Sequence, residues 1–183
     1  MDEEKIIGKS IYLRRLKEKD ASEDYCHWLN DSVVNKYLET KKCTIDDLKQ
    51  YIKEKNANDK CRFFGIFNIE NDKHIGNVKL EPIDFENKKA IFGILLGEKD
   101  RWGQGIGTEV TRLVVKYAFV TLGLDQVGLG VISENKPAIR VYEKVGFKIV
   151  NVEKDKMKHG EKVYDKVVMR IDKKDFENVI AIK

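Results

Sequence analysis

The run Arg101-Trp102-Gly103-Gln104-Gly105-Ile106-Gly107-Thr108-Glu109 sets three glycines on alternate positions directly before apolar residues at helical spacing, Val110, Leu113, Val114, Tyr117 and Ala118. A glycine-rich turn from a strand into a helix presents unpaired backbone N–H groups at the positive end of the helix dipole. Such an end can hold a phosphate or pyrophosphate. Glycine also allows positive φ and lets an anion come close to the backbone. Turns of this kind serve purely structural ends as well, so the loop alone leaves both readings open. It is not a P-loop, which needs GxxxxGK followed by Ser or Thr, because no Lys follows these glycines. A dinucleotide fingerprint needs GxGxxG, whereas Gly103, Gly105 and Gly107 give GxGxG. Asp125 lies a suitable distance downstream for a ribose-binding acid, but it precedes the next strand instead of ending it. Further along, Asn135 and Pro137 open a short helical pattern of Ile139, Tyr142 and Val145 that Gly146 stops. Asn135 reads as an ordinary N-cap there, and Tyr142 as an apolar-face residue whose hydroxyl needs a partner.

The elements that must carry these residues follow from periodicity. Ser10–Leu16 alternates as a first strand. Helical spacing covers Ala21–Asn56 in two segments, one with Trp28 and Leu29, the other with Leu48, Tyr51 and Ile52 after a Thr44 to Asp47 capping box. Cys61–Glu70 and His74–Ile83 read as a hairpin. Lys89–Glu98 is a near-continuous apolar run that predicts a strand covered on both faces. After the glycine turn come a helix ending near Gly123, a buried strand Val127–Ile132, the short helix, and a terminal hairpin turning at His159-Gly160. This order predicts an α+β fold: a mixed, mostly antiparallel sheet with one parallel βαβ crossover near its centre.

Composition narrows the class. The 183 residues, 42% hydrophobic, with only two prolines and no repeat or linker, are expected to form a single domain over 1–183. No signal peptide or membrane-spanning run is visible, which predicts a soluble, cytoplasmic protein with no membrane partner. The net charge of +4 is spread along the chain, too mild for a nucleic-acid partner and mildly favourable to an anionic cofactor or substrate. Cys26, Cys43 and Cys61 lack metal-ligand spacing and read as reduced thiols, with no metal site expected.

Trp102 to Glu109 together with Glu134 to Phe147, about 25 residues apart, resembles the acetyl-CoA site of the GNAT superfamily of N-acyltransferases. The family's motif, Gln or Arg, then x-x-Gly-x-Gly or Ala, aligns on Trp102, Gly105 and Gly107. Trp102 departs from the usual Gln or Arg, and this departure is typical of the branch of ribosomal-protein N-terminal acetyltransferases. Tyr12 to Asp20 and His27 to Glu39 also resemble that branch, so the similarity runs from Leu13 to Ile171. The resemblance implies the acyl-CoA N-acyltransferase fold with a splayed central parallel pair, and acetyl-CoA as acyl donor. By the same resemblance Leu95, Leu96 and Gly97 would offer backbone groups to pantetheine, and Leu96 an N–H to the oxyanion. Arg101, Trp102, Gly103, Gln104, Gly105, Ile106, Gly107 and Thr108 would wrap the pyrophosphate, and Asn135 would touch the pantetheine arm. Tyr142 would protonate the departing thiolate. Glu81 is the first candidate for the base and Glu39 the second, though either carboxylate also reads as a solvated surface charge. The acceptor would be a primary amine attacking directly in a ternary complex: a protein N-terminus, or a small amine such as an amino sugar or polyamine. Arg14, Arg15 or Lys36 would suit a nucleotide-linked sugar. A homodimer is left open, and a non-catalytic acyl-CoA-binding module is the alternative from another class.

Overall fold

The computed structural model describes residues 5–37, 43–159 and 162–181. Glu39 and Gly160 lie outside the described residues. In chain order the elements are β1 (Lys5–Ile7), β2 (Ile11–Arg15), α1 (Glu23–Asn30), α2 (Ile45–Ala57), β3 (Arg62–Asn68), β4 (His74–Asp84) and β5 (Lys89–Leu96). Then follow α3 (Ile106–Val120), β6 (Gln126–Ile132), α4 (Lys136–Val145), β7 (Lys148–His159), β8 (Lys162–Asp172) and α5 (Lys173–Ala181). The strands form one eight-stranded sheet in the order β1-β2-β3-β4-β5-β6-β8-β7. Among the described residues, only the β5–β6 neighbours run parallel.

The helix boundaries come from local chemistry. Thr44 and Asp47 exchange the reciprocal hydrogen bonds of a capping box at the start of α2. Asn135 accepts from Ala138 N at the start of α4, Pro137 lies in its first turn, and Gly146 in the left-handed region closes it. Two apolar cores lie on opposite faces of the sheet. One joins α3, α4 and α5 to strands β2 through β6 and β8. The other joins α1 and α2 to β2 and β3.

That asymmetry corrects one expectation. On the face away from α3 and α4, β5 is covered only at its far end, by the packing of Leu95, and at its paired end Ile91 is 48% exposed. The near-continuous apolar run had predicted cover on both faces, but α1 and α2 reach β5 only at its far end, where Leu95 joins their core. The other face of β5 and β6 carries Gly93, Gly128 and Gly130, with the Lys79 side chain over Gly93 and the Lys166 side chain over Gly130. Two short elements went unseen in the sequence, β1 and α5; a three-residue strand carries almost no alternation to detect.

Candidate active site

The site begins where the sheet comes apart. β5 pairs with β6 only over Lys89↔Gln126, Ala90↔Val127 and Ile91↔Gly128. Beyond that point β5 continues along β4 to Leu96, while β6 continues along β8 to Ile132. From Phe92 onward the two strands diverge, opening a wedge with backbone groups on both sides. Register decides which groups face it. Gly97 N–H donates to Ile75 O at 3.0 Å, and bonding alternates along an antiparallel pair, so Leu95 also turns to β4. The peptide groups of Ile94 and Leu96 therefore point into the wedge. Of Leu95, Leu96 and Gly97, only Leu96 presents its own backbone there, and Ile94, absent from the sequence expectation, joins it. The residue-by-residue alternation would have revealed Ile94 had the bonded pairs been known.

The segment after β5 is fixed by side chains of unlike origin. Trp28 Nε1 donates to Glu98 Oε1 at 3.2 Å, Lys99 Nζ donates to Asp31 Oδ2 at 2.7 Å, and Trp102 Nε1 donates to Leu96 O at 2.9 Å. A Cβ on Gly97 would overlap the Trp28 indole, which accounts for that glycine. Trp102 is thus a brace that holds the end of β5, 42% exposed along its other edge. Gln104 donates to Asp100 O at 2.5 Å and closes the turn behind it.

The three glycines divide by role. Gly103 and Gly105 sit at φ 76° and 84°, with open space around the position of a missing Cβ. Gly105 is the N-cap of α3 and offers no side-chain cap, so the first N–H groups of the helix, at Ile106, Gly107 and Thr108, lack an intrahelical partner. Gly107 has ordinary helical φ and instead lets α4 close in, with Val141 3.8 Å from where its Cβ would be. Beside this turn lies an open pocket of about 530 Å³ whose lining includes Gly105, Thr108, Lys9, Arg112 and Lys144. These three cations went unremarked in the sequence; the four-residue step from Thr108 to Arg112 on one helix was the available signal. Arg101 ends the 3-10 turn before the loop and is half-buried.

Tyr142 stands at the mouth of the divergence. Its ring meets Phe92, the first β5 residue past the paired stretch, edge-on at 6.0 Å between centroids. The side chain is 8% exposed, and burial pushes its phenol up to about 12. The proton therefore stays on through the neutral range. Asn135 lies across the wedge at the end of β6, its Oδ1 used as the helix cap at 3.3 Å from Ala138 N.

Glu81 is on β4, level with the paired end of β5, not with its splayed end. Lys55 Nζ lies 2.6 Å and Lys79 Nζ 3.0 Å from its two carboxylate oxygens. Burial alone would raise its pKa, but the hydrogen bonds from Lys55 and Lys79 outweigh that and hold it below the usual carboxylate range. Lys79 also donates to the Tyr51 hydroxyl at 3.3 Å and lies over Gly93. Arg14 is committed elsewhere, in a two-pronged bond to Asp20 at 2.7 and 2.8 Å, and Arg15 donates to Cys61 O. His74 is a core residue stacked on Phe67. No helix among the described residues is long and apolar enough to cross a membrane.

Comparison with known proteins decides the family. Residues 10–148 match the acetyltransferase (GNAT) domain. The chain belongs to the GNAT acetyltransferase family. Among its GNAT relatives, a probable N-acetyltransferase YjcK of Bacillus subtilis is 34% identical over 155 residues, covering 78% of this chain and 82% of that protein. Spermidine N(1)-acetyltransferase of Escherichia coli is 29% identical over 142 residues, covering 76% and 74%. The crystal structure of spermidine N-acetyltransferase from Vibrio cholerae in complex with CoA and spermine superposes with a TM-score of 0.84 at 22% identity, covering 92% of this chain and 99% of that one. The α+β acyltransferase fold with its splayed parallel pair is thus the GNAT fold, and the acyl donor of this GNAT enzyme is acetyl-CoA.

Proposed function

We propose that this enzyme, a single N-acetyltransferase domain over 1–183, moves the acetyl group of acetyl-CoA to the primary amine of a small molecule. The observation that carries the reading is the meeting of three features at one place: the β5–β6 wedge, the αL glycine turn at the N-terminus of α3, and a buried, protonated tyrosine where the strands part. Pantetheine would add to the wedge through the peptide groups of Ile94 and Leu96, with Asn135 on the far side. The pyrophosphate would rest on Ile106, Gly107 and Thr108 N–H, with Arg101 alongside and the loop Trp102 to Gln104 shaping its cradle. The thioester carbonyl would then lie near Leu96 N–H, a donor for the tetrahedral oxyanion.

Direct attack requires a neutral amine, and a departing thiolate requires a proton. Tyr142 supplies the proton. Glu81 accepts the amine's proton through water; its two lysines keep it ionised but make it a weak base, so the amine's own deprotonation sets most of the acid limb. The amine enters from the face of β5 and β6 that carries Gly93, Gly128 and Gly130, beside Lys79 and Lys166. Two relatives named for spermidine support a small polyamine-like acceptor ahead of a protein N-terminus or an amino sugar, and ahead of the ribosomal-protein branch.

Thiol release from acetyl-CoA in the presence of spermidine, an amino sugar and a short peptide tests the proposal. Release with spermidine above the amine-free rate is expected. Tight acetyl-CoA binding without release for any amine would replace the enzyme reading with that of a binding module.

A further inference from the structure

Two of the three cysteines meet in space, although 17 positions separate them. Cys26 Sγ, inside α1, lies 3.6 Å from Cys43 Sγ, the residue before the α2 N-cap, and also 3.1 Å from Cys43 O. The juxtaposition is built by Asn30. Its Nδ2 donates to Cys26 O at 2.9 Å and to Cys43 O at 3.2 Å, while its Oδ1 accepts from Cys43 N at 3.3 Å. One amide thus clamps both cysteine backbones, and both side chains are half-buried, within reach of a small reagent. The third, Cys61, is fully buried.

We infer that Cys26 and Cys43 form an oxidant-responsive dithiol site that closes to an intrachain disulfide with a low-molecular-weight disulfide as oxidant. The sulfurs must approach from 3.6 Å to about 2.05 Å, a change that side-chain rotation can provide. Burial first, and then the contact with Cys26, pushes the Cys43 thiol up to about 12. Cys26 thiolate attacks a sulfur of the oxidant, forming a mixed disulfide and releasing one thiolate. Cys43 then gives up its proton and attacks the Cys26 sulfur, releasing the second. Both thiol hydrogens end on the two reduced oxidant halves. The bond would tie α1 to the start of α2 and close a ring over a segment that carries Trp28 and Asp31, the residues that brace the loop after β5.

The test is chemical and uses no acetyl transfer, so it stands apart from the proposed activity. The full chain is treated with glutathione disulfide under native conditions, free thiols are counted in denaturant, and unreduced peptides are mapped by mass spectrometry. The expected result is the loss of two of the three thiols, a peptide pair joined through Cys26 and Cys43, and full recovery with dithiothreitol. Cys26→Ser and Cys43→Ser should each abolish the joined pair while Cys61 stays free. Three free thiols after treatment, a lasting glutathione adduct, or linkage to Cys61 or between chains would overturn the inference.

Discussion

At Tyr142 burial and placement act in the same direction. A phenol 8% exposed beside Phe92 keeps its proton, and it does so where the wedge would deliver the sulfur. Tyr142→Phe keeps the ring contacts with Phe92 and Phe147 and removes only the hydroxyl. It should lower kcat by about 10²-fold, in the range of general acid catalysis, and leave the Kd for acetyl-CoA within about twofold. Since the folded phenol is raised to about 12, the wild-type rate should show no loss as pH passes the ordinary tyrosine value of about 10. Initial rates of the two enzymes across pH check both statements; an unchanged kcat would remove Tyr142 as the acid. Gly105 makes a different kind of demand. At φ 84° with empty space around its Cβ position, the constraint is conformational and not steric. Gly105→Val should cost on the order of 1–2 kcal/mol if the turn holds its shape, or distort the turn if it does not. Either way CoA affinity measured by calorimetry falls, by roughly tenfold, and an unaltered Kd would sink the phosphate-cradle reading.

Glu109 shows how one side chain can join elements far apart in sequence. Its carboxylate accepts from Lys9 N, Ser10 N and the Ser10 hydroxyl, so the first turn of α3 grips the β1–β2 connection. Burial would raise its pKa, but these hydrogen bonds outweigh that and lower it. A group depressed in the folded state contributes stability above its unfolded value, near 4.5, and loses it as pH falls through the folded value. Glu109→Gln should therefore destabilise by about 1 kcal/mol at neutral pH, a figure kept low because the contact is exposed, with the difference from wild type shrinking in acid. Urea unfolding at both pH values checks this. In the sequence alone Glu109 is just an acidic residue at the end of the glycine run, because its partners are about 100 positions away. The capping box, the Asn135 cap, the Gly146 stop and the crossover were legible because each is decided within a few residues. The covering of β5 and β6 was not, since a run of apolar residues says that something packs on a strand and not how far α1 and α2 extend across it.

For the molecule as a whole, the consequence of that half-covered sheet is a division between the two faces. α3 and α4 bring the proposed phosphate cradle and Tyr142 to one side of the wedge, while α1 and α2 cover the other only at the end of β5 and leave Gly93, Gly128 and Gly130 beyond their reach, with the Lys79 and Lys166 side chains over the first and last. In the proposed reaction donor and amine are present together, each from its own side, with no covalent enzyme intermediate. Initial-rate plots against acetyl-CoA at several amine concentrations should intersect, and parallel lines would overturn direct attack. Filling the face that carries the glycines separates the two sides further. A Cβ at Gly128 would meet Ile91 at 3.5 Å and Met169 O at 3.7 Å, ordinary contacts, so Gly128→Ala should fold with an unchanged Tm. Its methyl group would project into the proposed path of the amine. The KM for the amine should rise several-fold while the KM for acetyl-CoA stays put, because nothing on the phosphate side has moved. If both constants rose together, the two ligands would share one entrance, and the division of labour between the faces of the sheet would be wrong.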